Sequence, residues 1–183
     1  ELAFLKNTEA KDYKKSIMLG NLLPDLKPSF ISVKHNIETT SKKVEELMVS
    51  IFEKFSEISR MFVFRIGELL HYICDYFTYP HNPELWNGSL LSHIVYEVKQ
   101  HSELNKYIFH ERYKEDILEF DFNQEVETPK ELFAEIINVH GRYLKETPSI
   151  HNDCKYVVCV IYNAFRWFLN KLFNIDIREV VFT

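Results

Sequence analysis

The chain has 183 residues, with 27 Asp and Glu against 22 Lys and Arg and a formal net charge of -5. That balance argues against a broad basic footprint for duplex nucleic acid, while leaving room for a local basic groove. A hydrophobic content of 46% is enough for one substantial core, so a single domain over residues 1–183 is expected. Only four Gly and six Pro favour long helices over hairpins or glycine-rich phosphate loops.

In chain order, residues 8–19 read as a short helix capped by Thr8 and closed by Gly20, followed by an ordered loop, Asn21-Leu-Leu-Pro-Asp-Leu-Lys-Pro28. From about Glu38 to Lys54, Val44, Leu47, Met48, Ile51, Phe52 and Phe55 recur at three- and four-residue spacing, which predicts an amphipathic helix. Ile58–Phe77 is a second long helix, more apolar and therefore more central. After a turn from Tyr79 to Gly88, Ser89 or Ser92 can cap a third helix through about Gln100. Asn105–Leu118 continues as helix, and residues 119–128 are acidic and irregular. Thr128-Pro-Lys-Glu is a helix start with Thr128 as N-cap and Pro129 in the first turn, the helix running to about Lys145. The last long helix, Asp153–Phe173, is apolar nearly all round and belongs in the middle of a bundle. Ile177–Phe182 is β-prone but has no strand to pair with, so an extended tail is expected.

Cys74, Cys154 and Cys159 show no CxxC spacing and read as reduced core residues. No run of 18 apolar residues occurs, so no membrane span is expected. The sequence shows no charged start followed by a hydrophobic stretch, which favours a cytoplasmic location, with secretion the alternative if an upstream signal has been removed.

The chemistry is concentrated in His71-Tyr-Ile-Cys-Asp75-Tyr-Phe-Thr-Tyr-Pro-His81, followed by His93-Ile-Val-Tyr-Glu97. His71 and Asp75 at i, i+4 leave a helix on one face, close enough to grip a single ion, and His93 and Glu97 repeat the arrangement on the next helix. His81 lies between Pro80 and Pro83, where the chain must turn. A His/Asp pair one turn apart is usually a surface hydrogen bond or ion pair. Here Leu69, Leu70, Ile73 and Phe77 surround it, and a buried charge is paired or coordinates a metal. Upstream stand Asp25, beside Pro24, and His35; on composition alone each is a turn residue. His101, His110, His140 and His151 read as ordinary hydrogen-bonding residues. Tyr72, Tyr79 and Trp86 flank the cluster and are either core or pocket lining.

The combination Gly20-Asn21, Pro24-Asp25, His35, Gly67, HxxxD at His71 and Asp75, His81, then HxxxE at His93 and Glu97 resembles the zinc-dependent phospholipase C family. That family shares its all-α, multi-helix fold with the single-strand-specific zinc nucleases. The resemblance covers roughly residues 18–101. It implies one zinc held by Asp25, His35, His71 and Asp75, and a second held by His81, His93 and Glu97. In the family a third zinc uses the N-terminal amine and a nearby His. This sequence begins Glu1-Leu-Ala-Phe and its first His is His35, so two sites are expected, and the third requires ligands upstream.

The implied function is zinc-dependent phosphodiester hydrolysis of phospholipid headgroups, with contact to a membrane surface and with Asp25, then Glu97, as the candidate proton acceptor. A single-strand nuclease or phosphatase is the alternative, and ranks second because Lys and Arg form no obvious stripe. A noncatalytic helical protein with structural zinc is the third reading, and seven candidate ligands are more than one closed four-ligand site needs.

Overall fold

The computed structural model describes residues 8–26, 36–120, 122, 123 and 125–178, with the side chains of residues 8–10 excepted. Among these residues the protein is all-α, with seven helices and no strand. They are α1 Thr8–Leu26, α2 Ile37–Lys54, α3 Arg60–Tyr76, α4 Leu90–Phe109, α5 Tyr113–Glu119, α6 Pro129–Tyr143 and α7 Ile150–Phe173, with a 3-10 turn, Tyr79–His81, between α3 and α4.

Side-chain caps fix most of the helix starts. The side chains of Asn36, Ser59, Ser89 and Ser149 accept the backbone N–H three residues on, at α2, α3, α4 and α7. Thr128 and Glu131 form a reciprocal capping box at α6, with Pro129 inside the first turn. Each cap satisfies N–H groups that have no partner within the helix.

α3 lies at the centre, packed by α1, α2 and α7, and α7 in turn contacts α4, α5 and α6. Phe62, Leu69, Ile73, Tyr76 and Phe77 from α3 and its C-cap meet Met48 and Ile51 of α2, Leu132 and Ile136 of α6, and Val160 and Phe168 of α7 in one core. The central positions expected for the second and last long helices are observed. Cys154 and Cys159 are buried free thiols in this core region, and Cys74 is half-buried.

The first helix differs from expectation. It does not close at Gly20, and Asn21–Leu26 is helix rather than loop, so Asp25 sits on the last helical turn. Residues 27 and 28 of the expected loop lie outside the described residues. The reason is tertiary. A Cβ built on Gly20 would lie 1.9 Å from the Phe64 carbonyl oxygen, and one on Gly67 would lie 2.3 Å from the Ile17 carbonyl oxygen. The two glycines let α1 and α3 cross with backbones in contact, so Gly20 marks a crossing point rather than an end. Pro24 falls near the C-terminus of α1, where its missing N–H removes one hydrogen bond from a helix already held by α3.

α4 also runs further than expected, to Phe109. Glu111, at φ 55°, then breaks the chain before α5, so the helix expected over Asn105–Leu118 is divided between two elements. α7 begins at Ile150, because Ser149 caps it before Asp153. Residues 174–177 form no regular element, Ile177 is buried in the core, and residues 179–183 of the expected tail lie outside the described residues. No helix among the described residues is long and apolar enough to cross a membrane.

Candidate metal centre

The helical spacing of His71 and Asp75 brings their side chains together near the C-terminal end of α3, with the His71 Nε2 atom 3.3 Å from Asp75 Oδ2. The glycine crossing then delivers the last turn of α1. Asp25 Oδ1 lies 3.4 Å from the same His71 nitrogen. Asp25 is half-exposed, while the His71 and Asp75 side chains are largely enclosed.

A second group forms where the 3-10 turn meets α4. His81 Nε2 lies 3.2 Å from Glu97 Oε1, His93 Nε2 lies 2.9 Å from that same oxygen, and the two imidazole nitrogens are 3.2 Å apart. The rings meet edge to face, so both nitrogens point into one small volume. Asp75 stands between the groups. Its Oδ2 faces His71, and its Oδ1 lies 3.7 Å from His81 Nε2.

The charges respond to this crowding. Burial works against a protonated His71, but hydrogen bonds to Asp25 and Asp75, and their negative charges, outweigh it and raise the ring's pKa to about 10. His81 is also buried, and the Asp75 charge together with the Glu97 hydrogen bond moves its pKa upward. Burial opposes ionisation of Glu97 too, yet the hydrogen bonds from His81 and His93 bring it down to about 2. Each group is thus an environment that favours positive charge.

The donor set fits zinc. Ligand atoms about 2.0–2.1 Å from a tetrahedral ion lie about 3.3 Å from one another. The separations of 2.9–3.2 Å in the His81, His93, Glu97 group are close to that edge length, and among the described residues this is the group whose ligand atoms all lie within 4.8 Å of one another. Around His71 the two carboxylates lie 3.3 and 3.4 Å from the ring nitrogen without closing into such a triangle. Three basic atoms in a triangle are also a poor hydrogen-bonding set, because an N–H aimed well at one corner cannot be aimed at the other. His35 lies outside the described residues, and the other six residues named from the sequence are brought together.

Two supports for this cluster had no signal in the sequence. Asp153, fully buried in the first turns of α7, accepts the Tyr79 backbone N–H at 2.9 Å and the Tyr96 hydroxyl at 2.8 Å on one oxygen, and the Tyr143 hydroxyl at 2.8 Å on the other. It therefore ties the turn bearing His81 and the helix bearing His93 and Glu97 to α6 and α7. The second support is Asn82. Its Nδ2 group donates to the carbonyls of Tyr76 and Thr78, which leaves Oδ1 to accept from His140 Nε2 at 2.8 Å. His140 thus has the ordinary hydrogen-bonding role expected of it, and it must carry its proton on Nε2.

His101, His110 and His151 are exposed, and His101 pairs with Asn105. Tyr72 is core, with Lys43 donating to its hydroxyl. Tyr79 and Trp86 cluster with Tyr96 beside the 3-10 turn, at ring separations of 5.2–5.9 Å. Only the i, i+4 pairs could have been found by periodicity; Asp153 looks like any acid at a helix start.

Neither the comparison with curated proteins nor that with solved structures finds a match. One protein-family model, described as zinc dependent phospholipase C, matches residues 2–150, which takes in every residue of the two groups. With most of its length matched and an all-α fold, the chain belongs to the zinc-dependent phospholipase C family.

Proposed function

We propose that the protein is a zinc-dependent phosphodiester hydrolase that acts on phospholipids in the manner of a phospholipase C, as one domain. The observation that carries this reading is the placing of Asp75 with one carboxylate oxygen toward each of two His/carboxylate groups. Paired metal sites joined by a carboxylate suit phosphoryl chemistry better than an isolated closed site does. Asp25, His35, His71 and Asp75 would hold one zinc, and His81, His93 and Glu97 a second.

Zinc at such sites neutralises charge developing on the phosphoryl oxygens and makes water a stronger acid. The protein's own groups supply the rest. In the hydrolysis, oxygen from water bonds to phosphorus, the phosphorus–oxygen bond to the diacylglycerol breaks, the diacylglycerol oxygen takes up a proton and leaves as the alcohol, and the phosphorylated headgroup is the second product. Asp25 is the proton acceptor in this reading, because its carboxylate is half-exposed at the edge of the cluster. Glu97 is the weaker candidate. Two imidazoles hold it ionised down to about pH 2, so it has little tendency to take a proton.

The test is metal counting followed by assay of two substrate classes. Two zinc ions per chain, with release of phosphorylated headgroup from phosphatidylcholine and none of nucleotides from single-stranded DNA, are expected. Cleavage of DNA alone would move the assignment to a nuclease, and one ion without hydrolysis of either substrate would make the zinc structural.

A further inference from the structure

Two helices supply the exposed carboxylates of the cluster, Asp25 on α1 and Glu97 on α4, and each carries a stripe of bare aliphatic side chains beside it. Around Asp25 these are Met18, Leu19, Leu22 and Leu26; around Glu97 they are Leu90, Leu91, Ile94 and Val98. The two sets fall in the same register, at i−7, i−6, i−3 and i+1 of the carboxylate. All eight are between 49% and 72% exposed, so neither stripe is covered by the core.

In a helix, residues at i−7, i−3 and i+1 follow one face, adjacent to the face of residue i. Each helix therefore turns one side to the core, the next to the His/carboxylate cluster, and the third, aliphatic side to solvent. Aliphatic ledges on this scale mark an interaction site on a protein surface.

We infer that these two stripes are the surface on which the protein rests on a zwitterionic phospholipid bilayer, with the aliphatic side chains entering the acyl boundary and the cluster facing the headgroup phosphates. The inference rests on the phospholipid reading given above. Charge supports it. In residues 18–26 and 90–98 the only acids are Asp25 and Glu97, although the chain as a whole carries -5. Exposed Lys11 and Lys15 on α1 continue the first stripe along the same face and suit lipid phosphates. A protein partner seated on both stripes would stand across the reacting centre. A bilayer presents its own substrate there.

The experiment is co-sedimentation of the zinc-loaded protein with sucrose-loaded vesicles of a phosphonate analogue of phosphatidylcholine, in which a methylene replaces the oxygen between glycerol and phosphorus, so that hydrolysis plays no part. It compares the native protein with two double variants, Leu19→Ser/Leu22→Ser and Leu91→Ser/Val98→Ser. All four side chains are exposed, so their replacement costs the fold little. Moving one leucine-sized side chain into hydrocarbon is worth about tenfold in partitioning, so each double variant should bind vesicles at least about tenfold more weakly. A native protein that stays in the supernatant, or variants that sediment as the native protein does, would overturn the inference. So would a native dimer in sedimentation equilibrium that the same variants dissociate, since the stripes would then join two copies of the chain. A short-chain phosphatidylcholine assayed as monomers separates this inference from the one it rests on. Hydrolysis of it without vesicle binding removes the surface and leaves the enzyme. Vesicle binding without hydrolysis of any phosphodiester removes the enzyme and leaves the surface.

Discussion

Gly67 of α3 lies so close to Ile17 of α1 that a Cβ at position 67 would stand 2.3 Å from the Ile17 carbonyl oxygen. Backbone cannot rotate away as a side-chain tip can, so Gly67→Ala must push the two helices apart. A loss of about 1–3 kcal/mol is expected in urea unfolding. Because Asp25 rides on α1 and meets His71 across this crossing, the variant should also lose zinc from the His71 group first. Gly141→Ala is the control: nothing lies within 4 Å of a Cβ there, and within α6 the added methyl should stabilise by about 0.5–1 kcal/mol. If both alanine variants behave alike, the close crossing is not what holds Asp25.

Asp153 works on the second group from behind. Asp153→Ala leaves the Tyr79 N–H and the Tyr96 and Tyr143 hydroxyls without their shared acceptor, at a cost of about 3 kcal/mol. Asp153→Asn keeps the shape but brings an amide N–H₂ against one of those donors. Zinc affinity at His81, His93 and Glu97 should fall about 10–100-fold in the Asn variant, as for other groups that orient metal ligands. Affinity at the His71 group should change little. Competition with a chromogenic chelator resolves the two affinities, and an equal fall at both sites would argue for general loosening of the fold instead.

How much of this was legible in the sequence depends on the range of the contacts. The pairs His71/Asp75 and His93/Glu97 follow from helical periodicity, because both partners lie within one turn. The caps Ser89 and Thr128 and the central position of α3 are likewise local signals. The length of α1 is not legible locally, because Gly20 and Pro24 are helix breakers by local rules, while the contact that keeps the helix going is with Phe64, far along the chain. Asp153 was invisible for the same reason: its partners Tyr79 and Tyr96 stand 74 and 57 residues away. Asp25 is legible as a ligand only through the family resemblance. Its place beside His71 depends on that extended helix.

Metal removal should be felt as stability as well as activity. A ligand that binds only the native state stabilises it by mass action, about 4 kcal/mol per site when free zinc is a thousand times Kd. EDTA should therefore lower the melting temperature, and restoring zinc should bring it back. His93→Ala takes one corner from the His81, His93, Glu97 triangle and should lower the zinc count by one, with the circular dichroism of the helices unchanged. An unaltered count would mean that the triangle is a hydrogen-bonded set and not a metal site.

His140 gives the fold a pH dependence separate from the metal. Buried in α6, its ring is pushed down from the ordinary 6.5 to about 4 by burial, against a smaller opposing hydrogen bond to the Tyr76 backbone. Its folded value lies below its unfolded one, so between about pH 6.5 and pH 4 the unfolded chain holds the extra proton, and stability is lost as pH falls through that window. The full loss is about 3 kcal/mol, and above pH 6.5 this residue contributes no slope. Protonation would also place a charge beside Asn82, which locks the turn carrying His81. Urea unfolding in EDTA at pH 7 and pH 4.5 should show the native protein losing about 2–3 kcal/mol more than His140→Gln over that interval. His140→Gln is expected to be less stable than the native protein at pH 7, so the difference in slope is the measurement. Parallel slopes would mean that the imidazole takes its proton as easily folded as unfolded, and the buried hydrogen bond to Asn82 would then have to tolerate a charged ring.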